Sequence, residues 1–192
     1  MTPFEEALNS PQCIISVMGE HAGEGVDAIF KRKIDDIERI GKTFWLMRSP
    51  KARPEQVHRI CRITPAYAIF IKPATEGSAR PTTVEDVSRE YSQDKVSWHL
   101  LPKGISPVTG KLDANATALV FDLMTTQVSG TLDLWGYGDA SDVKKPIRFT
   151  LGCSTAYAIR RDMTSNPDRM KSRWRGIAAI ARFAEPYCVW LR

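Results

Sequence analysis

The sequence predicts an α/β or α+β fold: a single domain over residues 1–192, an N-terminal βαβαβ unit, and a mixed sheet extended by C-terminal strands. Three observations carry that expectation. Apolar runs at Ile14–Met18, Thr43–Met47 and Tyr67–Ile71 have the length of strands and their aromatic and branched composition. The stretches between them have helical character. Val26, Ile29, Phe30, Lys33, Ile37 and Ile40 recur at helical spacing, with Lys31, Arg32, Asp35, Asp36 and Arg39 on the other side. Finally, a glycine-rich turn, Gly19 to Gly25, joins the first run to that helix. Strands linked through helices pair in parallel, so a mostly parallel sheet is expected, with the same strands curled into a barrel as the alternative.

Each element has its own justification. Residues 1–12 read as a terminal arm with one helical turn through Glu5–Leu8, ended by Pro11. Gly41 supplies the stop of the long helix. Pro54 suits the first turn of a shorter helix whose buried side is Val57, Ile60 and Cys61. Thr82 with Glu85 has the form of a capping box and opens a helix to about Tyr91. A short strand is expected at Val96–Leu101, then a long loop over residues 102–117, rich in proline and glycine. Ala118–Met124 is apolar on every side, so periodicity does not separate strand from helix. Thr131–Tyr137 and Ile147–Leu151 read as strands around a turn-rich loop, Gly136 to Pro146. Asn166-Pro167-Asp168 has the form of a helix start, with Met170, Trp174, Ile177, Ala178 and Ala181 as an apolar stripe. Pro186 ends that helix, and Tyr187–Leu191 is a final strand.

Composition narrows the function classes. A hydrophobic content of 43% with 26% charged residues is that of a globular chain, which excludes a disordered one. No apolar run approaches the roughly 20 residues of a membrane helix. Glu5 and Glu6 stand where a signal peptide needs positive charge, so a cytoplasmic protein without a membrane partner is expected. Cys13, Cys61, Cys153 and Cys188 are widely spaced inside apolar segments and read as buried thiols. A net charge of +5 leans toward a polyanionic partner, DNA or RNA.

Several constellations are candidates for chemistry. In the glycine turn, Gly19, His21, Gly23 and Gly25 stand between a strand and a helix start, where backbone N–H groups hold phosphates. The spacing matches neither the dinucleotide fingerprint nor the P-loop, and Glu20 and Glu24 oppose an anion. Arg48, Lys51 and Arg53 form a basic loop after the second strand, a place where doubly wound folds keep phosphate contacts. Lys171, Arg173, Arg175 and Arg182, beside Trp174, make the last helix the densest positive segment. A solvated face with long side chains lying over the core is the plainer reading of these residues. Ser154 and Cys153 in Gly152–Ala156 have the small-residue setting of a nucleophile elbow, but His21, His58 and His99 all precede them. No metal-ligand spacing joins those histidines, so neither a metal nor a cofactor is expected. Asp122 and Asp133 interrupt apolar runs and must be paired or functional if buried.

Two function classes follow from the residues. One is a non-catalytic nucleic-acid-binding or accessory protein using the basic loop and the C-terminal helix. The other is a small enzyme that binds a nucleotide or phosphorylated ligand at Gly19–Gly25, beyond the carboxyl ends of the first strands.

Overall fold

The computed structural model describes residues 1–21, 23–47, 53–74, 87–106, 108–109, 116–140, 142–147, 155–160 and 173–192. In chain order these form α1 (Pro3–Asn9), β1 (Gln12–Val17), α2 (Val26–Ile40), β2 (Thr43–Met47), α3 (Pro54–Ile60) and β3 (Tyr67–Ile71). Four short strands follow: β4 (Val87–Ser88), β5 (Glu90–Ser92), β6 (His99–Leu100) and β7 (Val108–Thr109). The rest is β8 (Thr117–Thr125), β9 (Thr131–Asp133), β10 (Tyr137–Asp139), β11 (Asp142–Pro146), β12 (Thr155–Arg160) and β13 (Trp174–Leu191).

The N-terminal elements form for the reasons the sequence supplies. Thr2 and Glu5 close a capping box on α1, a full helix where a single turn was expected. Gly41, at φ +79°, stops α2 in the left-handed region where a side chain is unfavourable. Pro54 occupies the first turn of α3. The three apolar runs are β1, β2 and β3, and the undecided run Ala118–Met124 is a strand, the body of β8.

Mixed helix and strand is borne out, as an α+β arrangement, but the sheet is not mostly parallel. Its order runs β11-β10-β12-β1-β3-β13, and β8 and then β2 continue from β13. Among the described pairings only β1 with β3 is parallel. The elements occur in the sequence β-α-β-α-β, but β2 pairs antiparallel with β8 and touches neither β1 nor β3 in the sheet. The helix α2 therefore carries the chain to a distant edge, and β8 and β13, from the second half of the sequence, fill the gap.

The C-terminal helix expected from Asn166 is a second correction. Residues 161–172 lie outside the description, and Trp174 onward is one long strand, β13, paired with β3 and β8 on its two sides. At its centre Ala179, Ile180 and Ala181 are all buried, so the two-residue alternation of the flanking residues is lost there and both faces are covered. The helical stripe in the sequence is a by-product of that double burial, and pairing on both edges overrides the helix propensity of its alanines. Pro186, which has no N–H to donate, sits where the register against β8 shifts, and Tyr187 has φ +59°.

The helix expected over Thr82–Tyr91 ends in strands β4 and β5, its earlier part lying outside the described residues. The strand at Val96–Leu101 shrinks to His99–Leu100, and Thr131–Tyr137 is split by a tight turn at Leu134–Gly136. A strand, β11, occupies part of the expected loop Gly136–Pro146, and Ile147 lies outside it.

Alternate residues of β1 and β3 feed two apolar layers. Ile14, Ala68 and Phe70 meet Phe30 of α2 and Val57 of α3, while Ile15, Tyr67 and Ile69 share a layer with Ala7 of α1 and with Leu132, Leu134 and Tyr137. Around Phe30 the rings of Trp45 and Phe70 lie 5.6 and 5.5 Å away between centroids, fixing α2 on the sheet. No helix of the described structure is long and apolar enough to cross a membrane.

Candidate ligand cavity at the strand ends

Strand directions place one edge of the sheet apart from the others. The parallel strands β1 and β3 end there at Val17 and Ile71. Because β13 runs antiparallel to both β3 and β8, its first residues start at that edge and β8 ends there. The helix α2 begins at the same level, after the glycine turn. These ends enclose a cavity of about 810 Å³, within the size of small-molecule sites, typically about 300–1,000 Å³.

Its lining comes from every one of those ends. Met18 follows β1, Val26, Asp27 and Phe30 belong to α2, and Lys72 to Ala74 follow β3. Thr126 and Val128 follow β8, and Trp174 to Ala178 open β13. The floor is apolar, with Met18, Phe30 and Ile177 all buried. At the rim, Trp174 is 57% exposed, and the Arg173 guanidinium lies 5.0 Å from its ring centroid.

Arg175 is the unusual member. Only 6% of it is exposed, and its Nε donates to the Lys72 carbonyl at 2.9 Å. Among the described residues no carboxylate pairs with it, and burial lowers its pKa from the ordinary arginine value. Among the described residues it is thus a buried cation on a cavity wall with no counter-charge, a costly arrangement. Lys72 is exposed beside it, and its methylene stem lies over Gly176, where an added Cβ would meet the chain at 3.3 Å.

The other arginines expected to form a positive face are neutralised. Arg173 Nε donates to Asp133 Oδ1 at 2.6 Å, and that bond holds the Asp133 carboxyl below its usual range. Arg182 Nε donates to Asp122 Oδ1 at 2.8 Å. Asp122 and Asp133, the carboxylates flagged for interrupting apolar runs, are thus ion-pair partners of those arginines. Arg53 is exposed at the N-cap of α3. Arg48, Lys51 and Lys171 lie outside the described residues.

The described residues of the glycine turn border the cavity without lining it. His21 and Glu24 exchange backbone hydrogen bonds of 3.1 and 2.9 Å around Gly23, whose φ of +75° favours glycine. Gly25 is the N-cap of α2. Glu24 is bound by Arg32, whose Nε donates at 3.0 Å, and this lowers the pKa of Glu24. Gly19 is buried behind Met18. The residues on either side of the turn, Met18 before it and Val26 and Asp27 after it, are the ones that reach the cavity. Sequence reading missed Lys72, Asp27 and Thr126. Lys72 had a detectable signal, as the first residue past a strand that was correctly placed.

His58 Nε2 lies 2.9 Å from the Pro186 carbonyl, and His99 is exposed in β6. Cys13, Cys61 and Cys188 are buried free thiols, and burial pushes Cys13 and Cys61 up to about 12. Cys153 and Ser154 are not among the described residues, and no group of potential metal ligands occurs among those that are.

Fold and site together define an α+β protein with a ligand-sized cavity at the carboxyl ends of its one parallel strand pair among the described pairings. Comparison with protein-family models, curated proteins and solved structures finds no match for this chain.

Proposed function

We propose that this protein binds a nucleotide or another small phosphorylated ligand in the cavity beyond β1 and β3. One observation carries the reading: Arg175 is buried in the cavity wall with no carboxylate partner among the described residues. An anionic group supplies the missing counter-charge, the exposed face of Trp174 offers a surface for a flat ring, and Lys72 adds a second cation. The first turn of α2 brings backbone N–H groups to the same edge. The setting agrees with the preference of α/β sheets for ligands outside the carboxyl ends of strands.

A thermal-shift panel of nucleotides, sugar phosphates and inorganic phosphate tests this. A ligand at about 100 times its Kd adds about 2.7 kcal/mol of stability, enough to raise Tm by several degrees. Arg175→Gln should remove the shift while the variant still melts cooperatively. A panel without a single shift would leave the cavity without this role.

Nucleic-acid binding is the second reading, and the exposure of Trp174 beside a guanidinium is the observation that favours it. It is the weaker of the two because Arg173 and Arg182 already hold carboxylates. Binding to single-stranded DNA or RNA that weakens steeply with salt would raise it. Salt-insensitive or absent binding removes it.

A further inference from the structure

Resting on the cavity reading above, we infer that the ligand is a nucleoside carrying a single phosphate, with its ribose hydroxyls free. Three features of the lining lead there, and the first is charge. The described lining holds two cationic side chains, Arg175 and Lys72, and one carboxylate, Asp27. A phosphate monoester carries a charge of about −1.5 to −2 at neutral pH, which those two cations match. Further phosphates would add negative charge that no other described cation in the lining meets, next to a carboxylate that repels it.

The second feature is the carboxylate itself. Asp27 stands in the first turn of α2, exposed at the cavity rim. A carboxylate at an anion site is unhelpful toward phosphate, but it accepts hydrogen bonds from vicinal hydroxyls, the use that acidic residues serve toward ribose in nucleotide folds. The third is the split of the lining into polar and apolar parts. Met18, Phe30 and Ile177 are apolar, and Trp174 presents an aromatic surface at the rim, so a flat heterocycle has somewhere to go that a sugar phosphate would leave empty. One ligand class satisfies all three features: phosphate at Arg175 and Lys72, ribose at Asp27, base against Trp174. The same chemistry is found in a free mononucleotide and at the phosphorylated end of an RNA strand.

Isothermal titration calorimetry on the full chain tests this with AMP, GMP, CMP and UMP, the matching nucleosides, deoxynucleotides and triphosphates, and a 5′-phosphorylated RNA tetranucleotide. At least one monophosphate should bind tenfold or more tighter than its nucleoside and its triphosphate, and more tightly than its deoxy form. Asp27→Asn should bring the ribose and deoxyribose forms within twofold of each other, and Arg175→Gln should cost tenfold or more. Equal or tighter binding of the triphosphate, or of a sugar phosphate without a base, overturns the inference while leaving the phosphorylated-ligand reading in place. No binding by any phosphorylated probe overturns both. Tetranucleotide binding that matches or exceeds the mononucleotide assigns the site to a strand end, and weaker binding assigns it to the free nucleotide. The comparisons among ligands use the unaltered chain, so a variant that fails to fold does not leave the question open.

Discussion

Lys33 and Arg175 are both cations taken out of water, and the structure treats them oppositely. Lys33 is 4% exposed on the inner side of α2, with its Nζ 3.9 Å from Asp36 Oδ2 and 3.3 Å from Ser106 Oγ. Asp36, fully buried, also accepts from Thr43 Oγ1 at 3.0 Å, from the Ser106 N–H at 2.8 Å, from the Ser106 hydroxyl, and from Arg39 Nη2 at 2.9 Å. Every group in that cluster answers another, and together they bind the 101–106 segment to α2 and to the start of β2. Among the described residues, Arg175 has one carbonyl and a cavity. A buried charge whose partners come from the chain itself is structural, whereas one without a counter-charge among the described residues, beside an open space, is what the proposed anion site rests on. Sequence alone does not separate the two, since each is a basic residue in an apolar segment.

The largest effect that can break this contrast is at Asp36. Asp36→Ala strips Lys33 of its counter-charge and leaves the Ser106 and Thr43 donors without an acceptor. Removing one partner of a buried ion pair costs about 3–5 kcal/mol, and urea unfolding should show a loss of that size. A loss below about 1 kcal/mol, the range of an exposed pair, would mean that the cluster does not hold the segment.

A second effect is the pH dependence of Lys33. Burial pulls its ammonium from the ordinary 10.5 down to about 7, with the Arg32 charge adding to the shift and Asp36 and Glu24 opposing it. Between those two values the unfolded chain binds the extra proton, so the contribution of Lys33 to stability rises with pH through that window. Below about 7 both states are protonated and the contribution is flat. The buried thiols of Cys13 and Cys61, held up to about 12, act with the opposite sign at the alkaline end, so the effect is read as a difference from a variant. Lys33→Met should gain most over the parent at the acid end of the window and lose that gain toward its alkaline end. A difference that does not vary with pH would show Lys33 to be an ordinary solvated lysine.

The sequence made local structure legible and left long-range pairing illegible. Gly41, Pro54 and the three apolar runs act within a few residues of themselves, and each did what its chemistry dictates. Which strand lies beside which is decided by β8 and β13, more than 40 residues beyond β3 in the chain, and neither announces its neighbours. Lys33 was rightly placed on the apolar side of α2, but Asp36 was assigned to the wet side, because its spacing says nothing about Thr43 or Ser106. The candidate cavity lies beyond the carboxyl ends of the first strands, where a ligand is expected from the sequence, but few of its lining residues were visible there. Arg175 stands in the sequence on a basic helix face, whereas it belongs to the start of a strand, where its Nε reaches the Lys72 carbonyl. The ion pairs that neutralise Arg173 and Arg182 were half visible, since a carboxylate inside an apolar strand demands a partner without naming it.

The smallest expected effect sharpens the comparison most, because it should lack the large loss expected at Asp36. Arg175→Met removes a buried charge that nothing among the described residues answers and loses one hydrogen bond, to the Lys72 carbonyl. The lost bond costs about 0.5–1.5 kcal/mol, while relief from holding an unpaired guanidinium away from water acts in the other direction. The two nearly cancel, so the unfolding free energy in the absence of ligand should stay within about 1 kcal/mol of the parent or rise above it. The same variant should lose its response to phosphorylated ligands, the pattern of a residue kept for binding at some expense to the fold. If Arg175→Met instead costs as much as Asp36→Ala, then Arg175 is a structural cation like Lys33, and the cavity has no claim to the anion it was assigned.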